Sequence, residues 1–345
     1  MKLLETIAQG RVYKIAEMSA NHAGSIENAM AIIHAAKESG ADCLKIQTYT
    51  ADTITLDCDN EYFRIHGGLW DGRRLYELYS EASTPWDWQK RIKEECERVG
   101  LDFLSTPFDF SSVDFLEELG VGAYKIASFE LTDIPLVEYV ASKGKPMIVS
   151  CGLASEQEIG EMLAAVRRAG NDNVFLLKCT SEYPAKFEDM RLSLIPDMQQ
   201  RFGVPVGLSD HSMGHLAPVI ATSLGACIIE KHFCLSRSIK NPDADFSMEP
   251  HEFAEMVKMV DLASAALGKP SYELTEAERS QLHFRRSLFV CKDIKAGECF
   301  TKENIRSVRP AVGLPTKFYH QILGQKASCD LPFGTPLKEE HLGGK

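Results

Sequence analysis

The sequence predicts a (β/α)8 barrel followed by a small β-rich domain. Eight short apolar runs, each ending in polar residues, alternate along the chain with segments of helical spacing. Eight βα units of this size match a barrel of parallel strands surrounded by helices. Beyond Gly268 the alternation gives way to short β-like runs separated by turns. The eight predicted strands are Val12–Glu17, Cys43–Gln47, Leu101–Ser105, Ala123–Ser128, Pro146–Ser150, Val174–Thr180, Val204–Asp210 and Cys227–His232.

The predicted helices carry recognisable start and stop signals. The segment Ile26–Ser39 has helical spacing and ends at Gly40, a residue that commonly follows a helix. Ser155 to Glu158 has the pattern of a capping box, in which a serine and a glutamate cap the first turn reciprocally. Glu252–Leu267 is predicted to be the last helix of the barrel.

The predicted domain boundaries follow these patterns. We assign residues 1–270 to the barrel, 271–283 to a linker and 284–345 to the small domain. A domain of that size buries little core of its own, so we expect it to pack on something larger.

An insertion follows the second predicted strand. Residues 48–82 include Trp70, Tyr76 and Tyr79. A long loop at the rim of a barrel is either a substrate cover or an excursion that covers the barrel edge, and the sequence leaves both open.

Composition excludes several classes of function. The chain is 44% hydrophobic and 25% charged, as in ordinary globular proteins, and has no apolar run long enough to span a membrane. Its net charge of −11 argues against a nucleic-acid partner. The N-terminal stretch lacks the apolar core of a signal peptide. Ten cysteines lie in apolar contexts without a CxxC pair, which predicts reduced thiols in a cytoplasmic protein.

Two histidines are predicted to meet at the rim of the barrel. Val204–Asp210 and Cys227–His232 form two predicted parallel strands joined by a helix, so His211 and His232 follow or end neighbouring strands on the same side. Two converging imidazoles can hold a divalent metal with positions left open for substrate. Each histidine could instead be a hydrogen-bonded polar cap. The polar residues predicted to crowd around the pair favour the metal site: Asp210, Glu230, Lys231 and Asp243.

Two lysines lie inside apolar strands. Lys45 and Lys125 would be costly to bury without a counter-ion. A bound phosphate or carboxylate would supply that charge, and serines at the strand ends would add neutral donors. The alternative is an internal ion pair with Glu17 or Glu130. These residues alone fit both an aldol-type condensation and a metal-assisted hydrolysis.

Several stretches at the strand ends resemble the sialic acid synthase family. The resemblance extends almost from end to end, and the C-terminal segment is similar to the family's antifreeze-like (SAF) domain. One further set, Gln47–Thr50, Leu69–Gly72 and Thr84–Trp86, is similar to the pseudaminic branch of the family. The stretches that carry the resemblance are Ile15–His22, Lys45–Thr55, Ser105–Phe108, Tyr124–Ser128, Val149–Gly152, Cys179–Pro184, Gly207–His211 and Glu230–Phe233.

The resemblance implies a condensation of phosphoenolpyruvate with an acetamido sugar and water, which yields a nine-carbon 2-keto acid and phosphate. The pseudaminic branch implies 2,4-diacetamido-2,4,6-trideoxy-β-L-altropyranose as the sugar. A legionaminate or N-acetylneuraminate synthase would run the same chemistry on another sugar. A carbohydrate-binding protein with an inactive barrel is the alternative from another class, and the intact polar set argues against it. A metal-dependent hydrolase would need more metal ligands than two histidines.

The resemblance also implies roles for individual residues. His211 and His232 would hold a divalent metal, expected to be Mn²⁺, with Mg²⁺ or Co²⁺ also compatible. Glu17 would orient water or move a proton. The residues implied to bind phosphoenolpyruvate are Lys45, Lys125, Ser128, Ser150 and Ser209. The residues implied to bind the sugar are Gln47, Glu130, Tyr183, Asp243 and Arg309.

The resemblance further implies a domain-swapped homodimer, in which Arg309 of the small domain is offered to the sugar in the neighbouring subunit.

Two positions depart from the family pattern. Asn241–Asp243 stands where Gly-Pro-Asp is expected, and the asparagine that sialic acid synthases carry near Ser181 is absent. The second departure argues against N-acetylmannosamine as the substrate.

Overall fold

The computed structural model describes residues 1–343 and divides into two compact units, Met1–Gly268 and a second unit that begins at Lys269. The first unit contains eight parallel strands in the order β3-β2-β1-β8-β7-β6-β5-β4. The outer strands β3 and β4 lie side by side without pairing, so the barrel is nearly closed. The predicted barrel is therefore confirmed. Its strands are β1 Tyr13–Glu17, β2 Cys43–Thr48, β3 Asp102–Pro107, β4 Tyr124–Ile126, β5 Met147–Ser150, β6 Val174–Cys179, β7 Val206–Asp210 and β8 Ile228–His232.

Helices connect and surround these strands. The predicted capping box is present, because Ser155 Oγ accepts from the Glu158 backbone N–H while the Glu158 carboxylate accepts from the Ser155 N–H. The helices of the first unit are α1 Leu3–Ala8, α2 Ile26–Glu38, α3 Ala51–Ile54, α4 Leu75–Ala82, α5 Trp86–Val99, α6 Phe110–Leu119, α7 Ile134–Ala141, α8 Glu156–Arg168, α9 Leu194–Phe202, α10 Leu216–Ser223 and α11 Pro250–Leu267.

The interior of the barrel changes from apolar to polar along each strand. Successive side chains of a strand point to opposite faces, so alternate residues share the barrel interior. In β1 the interior positions Tyr13 and Ile15 belong to one buried apolar cluster, and the next interior position is Glu17. In β8 Ile228 belongs to the same cluster, and Glu230 follows it two residues later. The apolar cluster therefore forms a floor below a layer of polar groups.

The second unit has a core of its own. Strands β9 Ser287–Val290 and β10 Ile305–Val308 pair antiparallel, and the unit also contains helices α12 Glu276–Ser280 and α13 Tyr319–Ile322. Between these two strands, Cys299 makes only an isolated antiparallel bridge, to Lys326. The core residues of this unit are Leu288, Val290, Ile294, Phe300, Ile305, Ile322, Ala327, Leu331 and Leu337.

All ten cysteines are free thiols. Among residues 1–343, no helix has the length and apolar character needed to cross a membrane.

The floor of the barrel is tight at Gly207. A Cβ atom there would lie 2.5 Å from the Ile228 carbonyl oxygen and 2.7 Å from Leu177 Cδ2. We predict that Gly207→Ala lowers the free energy of unfolding by about 1–3 kcal/mol, since an extra methyl in a packed core forces its neighbours apart. Urea denaturation of the purified protein measures this loss.

Gly160 supplies the matched control for Gly207. It lies within α8, and a Cβ atom there would meet nothing within 4 Å. Gly160→Ala should raise the free energy of unfolding by about 0.5–1 kcal/mol, because alanine is the better helix former. Equal stability of Gly207→Ala and the unmodified protein would contradict the tight packing of the floor.

Candidate active site

Most of the predicted site residues line one pocket at the carboxyl ends of the barrel strands. Asp243 lies beside this pocket, and Arg309 is an exposed residue of the second unit. Glu130 lies on the turn after β4 and does not line the pocket. The residues that line the pocket are Glu17, Lys45, Gln47, Lys125, Ala127, Ser128, Phe129, Ser150, Cys179, Tyr183, Ser209, His211, Glu230 and His232. We call this the reaction pocket.

A buried carboxylate organises the lysines of the reaction pocket. Glu230 Oε1 lies 3.4 Å from Lys45 Nζ and 3.7 Å from Lys125 Nζ, and it accepts a hydrogen bond of 3.2 Å from Ser209 Oγ. Burial raises the pKa of Glu230, but the two ammonium groups outweigh burial and hold the pKa below its usual value. Glu230 is therefore an ionised centre between two lysines.

The first lysine has a second carboxylate partner. Lys45 Nζ lies 2.9 Å from Glu17 Oε2, which is the internal ion pair that the sequence left as an alternative. Burial lowers the pKa of Lys45, but Glu17 and Glu230 raise it further and the net shift is upward. Burial raises the pKa of Glu17 to about 7, with Lys45 opposing the shift and Glu230 adding to it. A carboxyl group with this pKa can both hold and release a proton near neutral pH.

The second lysine donates hydrogen bonds to a serine and to a backbone carbonyl. Lys125 Nζ donates to Ser150 Oγ at 2.7 Å and to the Ile126 carbonyl at 3.2 Å. The Lys125 ammonium group therefore makes no hydrogen bond to Glu130. Burial lowers the pKa of Lys125, and the field of Glu230 opposes that shift. Since Ser150 accepts from Lys125, its own hydroxyl hydrogen is left to donate to a ligand.

The two histidines face each other across the reaction pocket. Their ring centroids lie 5.5 Å apart. His211 Nδ1 lies 2.9 Å from the Thr180 carbonyl oxygen, which is an acceptor, so Nδ1 carries the hydrogen and Nε2 has the free lone pair. Burial lowers the pKa of His211, but the Cys179 thiolate and the Thr180 carbonyl raise this pKa by more, so the net shift is upward. Burial lowers the pKa of His232 well below its ordinary value, so this imidazole is neutral.

The donor set suits a metal ion that takes only part of its ligands from the protein. His232 Nδ1 is buried and has no hydrogen-bond partner, and it lies 3.8 Å from Asp243 Oδ2. A neutral imidazole nitrogen is an ordinary ligand of divalent transition metals. Within residues 1–343 no group of three or more histidine, cysteine or acidic side chains is arranged to hold a metal ion. A metal bound by the two histidines would therefore need further ligands from substrate or water.

Aromatic rings form one wall of the reaction pocket. The Tyr183 ring stacks on His211 with centroids 4.3 Å apart and contacts Phe246 at 5.1 Å. Trp70 of the insertion reaches the outer side of Tyr183 at a centroid distance of 5.8 Å. The insertion thus lies against the wall of the pocket.

A strained turn after β1 contacts residues of the reaction pocket. Ser19 has a φ of +43°, which is unusual for a residue with a side chain. Gln47 Nε2 donates to Ser19 Oγ at 3.0 Å and to Glu17 Oε1 at 3.1 Å, and the backbone N–H of Ala20 donates to Asp243 Oδ2 at 3.2 Å. Strain of this kind is typical of functional sites, where the surroundings fix the local backbone.

Asn241, which stands where the family pattern has glycine, has a structural role. The Asn241 side chain accepts a hydrogen bond of 2.9 Å from the backbone N–H of Asp243. This closes a turn of the kind that asparagine forms readily. Asparagine at this position therefore helps to present Asp243 beside His232.

Two residues that were predicted to surround the histidines lie elsewhere. Lys231 and Asp210 form a buried ion pair with each other, and Lys231 also donates to the Gly214 carbonyl at 3.0 Å. Neither residue lines the reaction pocket. The reason is the period of the strand: Glu230 and His232 share the interior face of β8, so Lys231 must point outward.

Sequence reasoning noted Glu230 but assigned it no role, and it missed Gly152. The spacing of two residues between Glu230 and His232 was a signal that both face the interior. Gly152 is close to two serines, because a Cβ atom there would lie 2.8 Å from Ser128 Oγ and would collide with Ser181 Oγ. The backbone N–H of Gly152 donates to Ser128 Oγ at 3.1 Å, so a glycine is needed for this approach.

Comparison with known proteins identifies the family of this chain. Residues 32–272 match the model of the NeuB family, and residues 285–343 match the SAF domain. The chain is 49% identical to a pseudaminic acid synthase of Campylobacter jejuni, over 95% of this chain and 96% of that protein. It is 34% identical to the N,N'-diacetyllegionaminic acid synthase of Legionella pneumophila, over 95% of this chain and 94% of that protein.

A solved structure shares the fold as well. The N-acetylneuraminic acid synthetase of Leptospira borgpetersenii, crystallised with citrate, superposes with a TM-score of 0.71 at 30% identity. The match covers 79% of this chain and 91% of that one. With the family model and these relatives matching over most of its length, the chain belongs to the NeuB family.

Proposed function

We propose that this protein is a pseudaminic acid synthase. It condenses phosphoenolpyruvate with 2,4-diacetamido-2,4,6-trideoxy-β-L-altropyranose and water, and it releases pseudaminic acid and phosphate. The observation that carries the proposal is the reaction pocket, in which two lysines, a carboxyl group with a raised pKa and two facing histidines converge. The identity of 49% to the Campylobacter jejuni enzyme supports this choice of sugar over the legionaminate alternative, whose relative is 34% identical.

Phosphoenolpyruvate carries a phosphate and a carboxylate, and the two ammonium groups of the pocket suit these charges. Lys45 and Lys125 would pair with the anionic groups, and Ser150 would donate its hydroxyl hydrogen. Ser209, whose hydroxyl hydrogen goes to Glu230, would contact the substrate beside these groups. Ser128, which accepts from the Gly152 N–H, has its own hydroxyl hydrogen to add. Glu230 would hold the two lysines in place when the substrate arrives and when phosphate leaves.

The reaction forms one carbon–carbon bond, and at carbon 2 of phosphoenolpyruvate a carbon–oxygen bond to water replaces the one to phosphate. The aldehyde oxygen takes up a proton and becomes a hydroxyl. Carbon 3 of phosphoenolpyruvate attacks the aldehyde carbon of the open-chain sugar. Water then adds at carbon 2, and phosphate departs from that carbon. Glu17 would orient this water and take its proton, a role that suits a buried carboxyl group with a pKa of about 7.

His211 and His232 would hold a divalent metal, and Mn²⁺ is the ion that we propose, with Mg²⁺ or Co²⁺ as substitutes. Such an ion would act as a Lewis acid on the aldehyde oxygen. The fit rests on the unpartnered Nδ1 of His232 and on the hydrogen bond between His211 and Thr180, which leaves Nε2 free for a ligand.

The sugar would lie along the side of the pocket formed by Gln47, Tyr183 and Asp243. Glu130, whose pKa burial raises to about 7, would contact a hydroxyl or amide group of the sugar. We further propose a homodimer, in which the SAF domain of each subunit offers Arg309 to the sugar bound by the other. The match of residues 285–343 to the SAF domain supports this part of the proposal.

Phosphate release tests the proposed reaction directly. With phosphoenolpyruvate and Mn²⁺ present, we expect release with the diacetamido-altrose, and much less with 2,4-diacetamido-2,4,6-trideoxymannose or N-acetylmannosamine. A coupled phosphate assay and mass spectrometry of the acid product measure this. Faster turnover of either other sugar would show that this other sugar is the preferred substrate. If no phosphate is released with any of the three sugars, the synthase assignment is wrong and the binding-protein alternative is favoured.

The metal site has its own test. We predict that His232→Ala loses bound Mn²⁺, because one of only two protein ligands is removed, and that its rate falls at least a hundredfold. Metal content after dialysis, measured by plasma mass spectrometry, gives a readout besides activity. Chelation by EDTA should abolish turnover of the unmodified enzyme, and added Mn²⁺ should restore it.

His215 is the matched control for the metal site. It precedes the first residue of α10, its side chain makes no capping hydrogen bond, and it does not line the reaction pocket. His215→Ala should keep both its metal and its activity. Retention of a full equivalent of metal by His232→Ala would refute the assignment of the ligands.

A further inference from the structure

A second pocket lies beside the reaction pocket, between the tip of the insertion and the loop after β6. Its volume is about 640 Å³, which falls within the range of roughly 300–1,000 Å³ that is typical of small-molecule sites. We call it the outer pocket. It is defined by Gly67–Trp70, Ser181–Phe187 and Met213.

The outer pocket collects apolar side chains that solvent reaches. Leu69, Phe187 and Met213 are 47%, 49% and 44% exposed, and all three line this one cavity. Scattered exposed apolar residues are ordinary, but a group of them around a concave surface marks a binding site. The occupant of the outer pocket should therefore present apolar groups.

Tyr183 separates the outer pocket from the reaction pocket and lines both of them. One side of its ring lies against His211, and Trp70 approaches it from the insertion. A ligand with its reacting carbon near the histidines would therefore extend past Tyr183 into the outer pocket. The two cavities therefore adjoin each other at Tyr183.

Trp70 is fixed in position by a hydrogen bond. Its indole N–H donates to the Pro242 carbonyl at 3.2 Å. Pro242 immediately precedes Asp243, which lies beside His232. Trp70 thus connects the insertion to the loops that carry Tyr183 and Asp243, so the insertion closes over the site rather than covering the barrel edge.

We propose that the outer pocket binds the end of the sugar farthest from the aldehyde, and that Trp70 is a specificity-determining residue. This inference rests on the proposed function and deepens it. The methyl groups at carbon 6 and on the 4-acetamido group would lie against Trp70, Leu69 and Met213. The hydroxyl of Ser181 and the carboxylate of Glu182, which also line the pocket, would meet the polar part of the amide.

The test compares two substrates that differ only in the group placed in the outer pocket. One is the diacetamido-altrose, and the other is 2-acetamido-2,6-dideoxy-L-altrose, in which a hydroxyl replaces the 4-acetamido group. For Trp70→Ala we expect kcat/KM to fall about 10- to 100-fold for the first sugar, mainly through KM, since lost apolar contacts have effects of this size. For the second sugar the fall should be much smaller, so the preference shrinks.

Three further variants separate specificity from stability. Trp70→Phe keeps an aromatic wall and should retain most of the preference. Met213→Gln places a polar group in the wall from an exposed position that the fold tolerates, and it should reduce the preference as Trp70→Ala does. Tyr62→Ala is the matched control, because Tyr62 lies on the same insertion, is 89% exposed and does not line the outer pocket.

The outcomes distinguish this inference from the proposed function. An unmodified enzyme that releases no phosphate with any sugar overturns the proposed function and the inference together. An active enzyme whose preference is unchanged in both Trp70→Ala and Met213→Gln overturns the inference alone. If these variants change the subunit count by light scattering and leave the preference intact, the outer pocket is a subunit interface and the inference is also wrong.

Discussion

The buried carboxylate of Glu230 is the constraint on which the site depends. Without a charge between them, two ammonium groups inside a barrel would repel each other, and burial would favour the loss of a proton from at least one. Glu230 provides that charge to Lys45 and Lys125 and is itself held by Ser209. Removal of one member would leave uncompensated charge in the interior, so these residues form a single electrostatic unit.

The fold keeps this unit in place through the alternation of its strands. The apolar floor below it excludes water from the barrel, and the polar layer above it lies at the strand ends, where the βα loops meet. Several buried polar atoms near the site have no partner within the described residues, including Glu230 Oε2, Glu130 Oε2 and His232 Nδ1. Unsatisfied groups are rare in protein interiors, and their concentration here indicates a surface shaped for a polar ligand.

The strands and the two histidines were predictable because they depend on short patterns. An apolar run that ends in a polar residue defines both the strand and the end that faces the ligand, as at His232. Contacts between distant segments were not predictable in this way. Nothing in the sequence around Trp70 indicates that its indole reaches Pro242, because that contact depends on the path of the whole insertion.

The directions in which individual side chains point were the second feature that was not predicted correctly. Asp210 and Lys231 lie next to the histidines along the chain, but the strand period turns them away, where they pair with each other. The same period places Glu230 in the pocket. Applying the two-residue alternation of the strands would have turned Asp210 and Lys231 outward and Glu230 inward. Their closeness to the histidines along the chain could not show these directions.

A crystal structure of the protein with phosphoenolpyruvate and Mn²⁺ would test the central claim most directly. We expect phosphoenolpyruvate in contact with Lys45, Lys125 and Ser150, and the metal bound by nitrogen atoms of His211 and His232. Phosphoenolpyruvate bound outside the reaction pocket, or a metal bound by other residues, would contradict it.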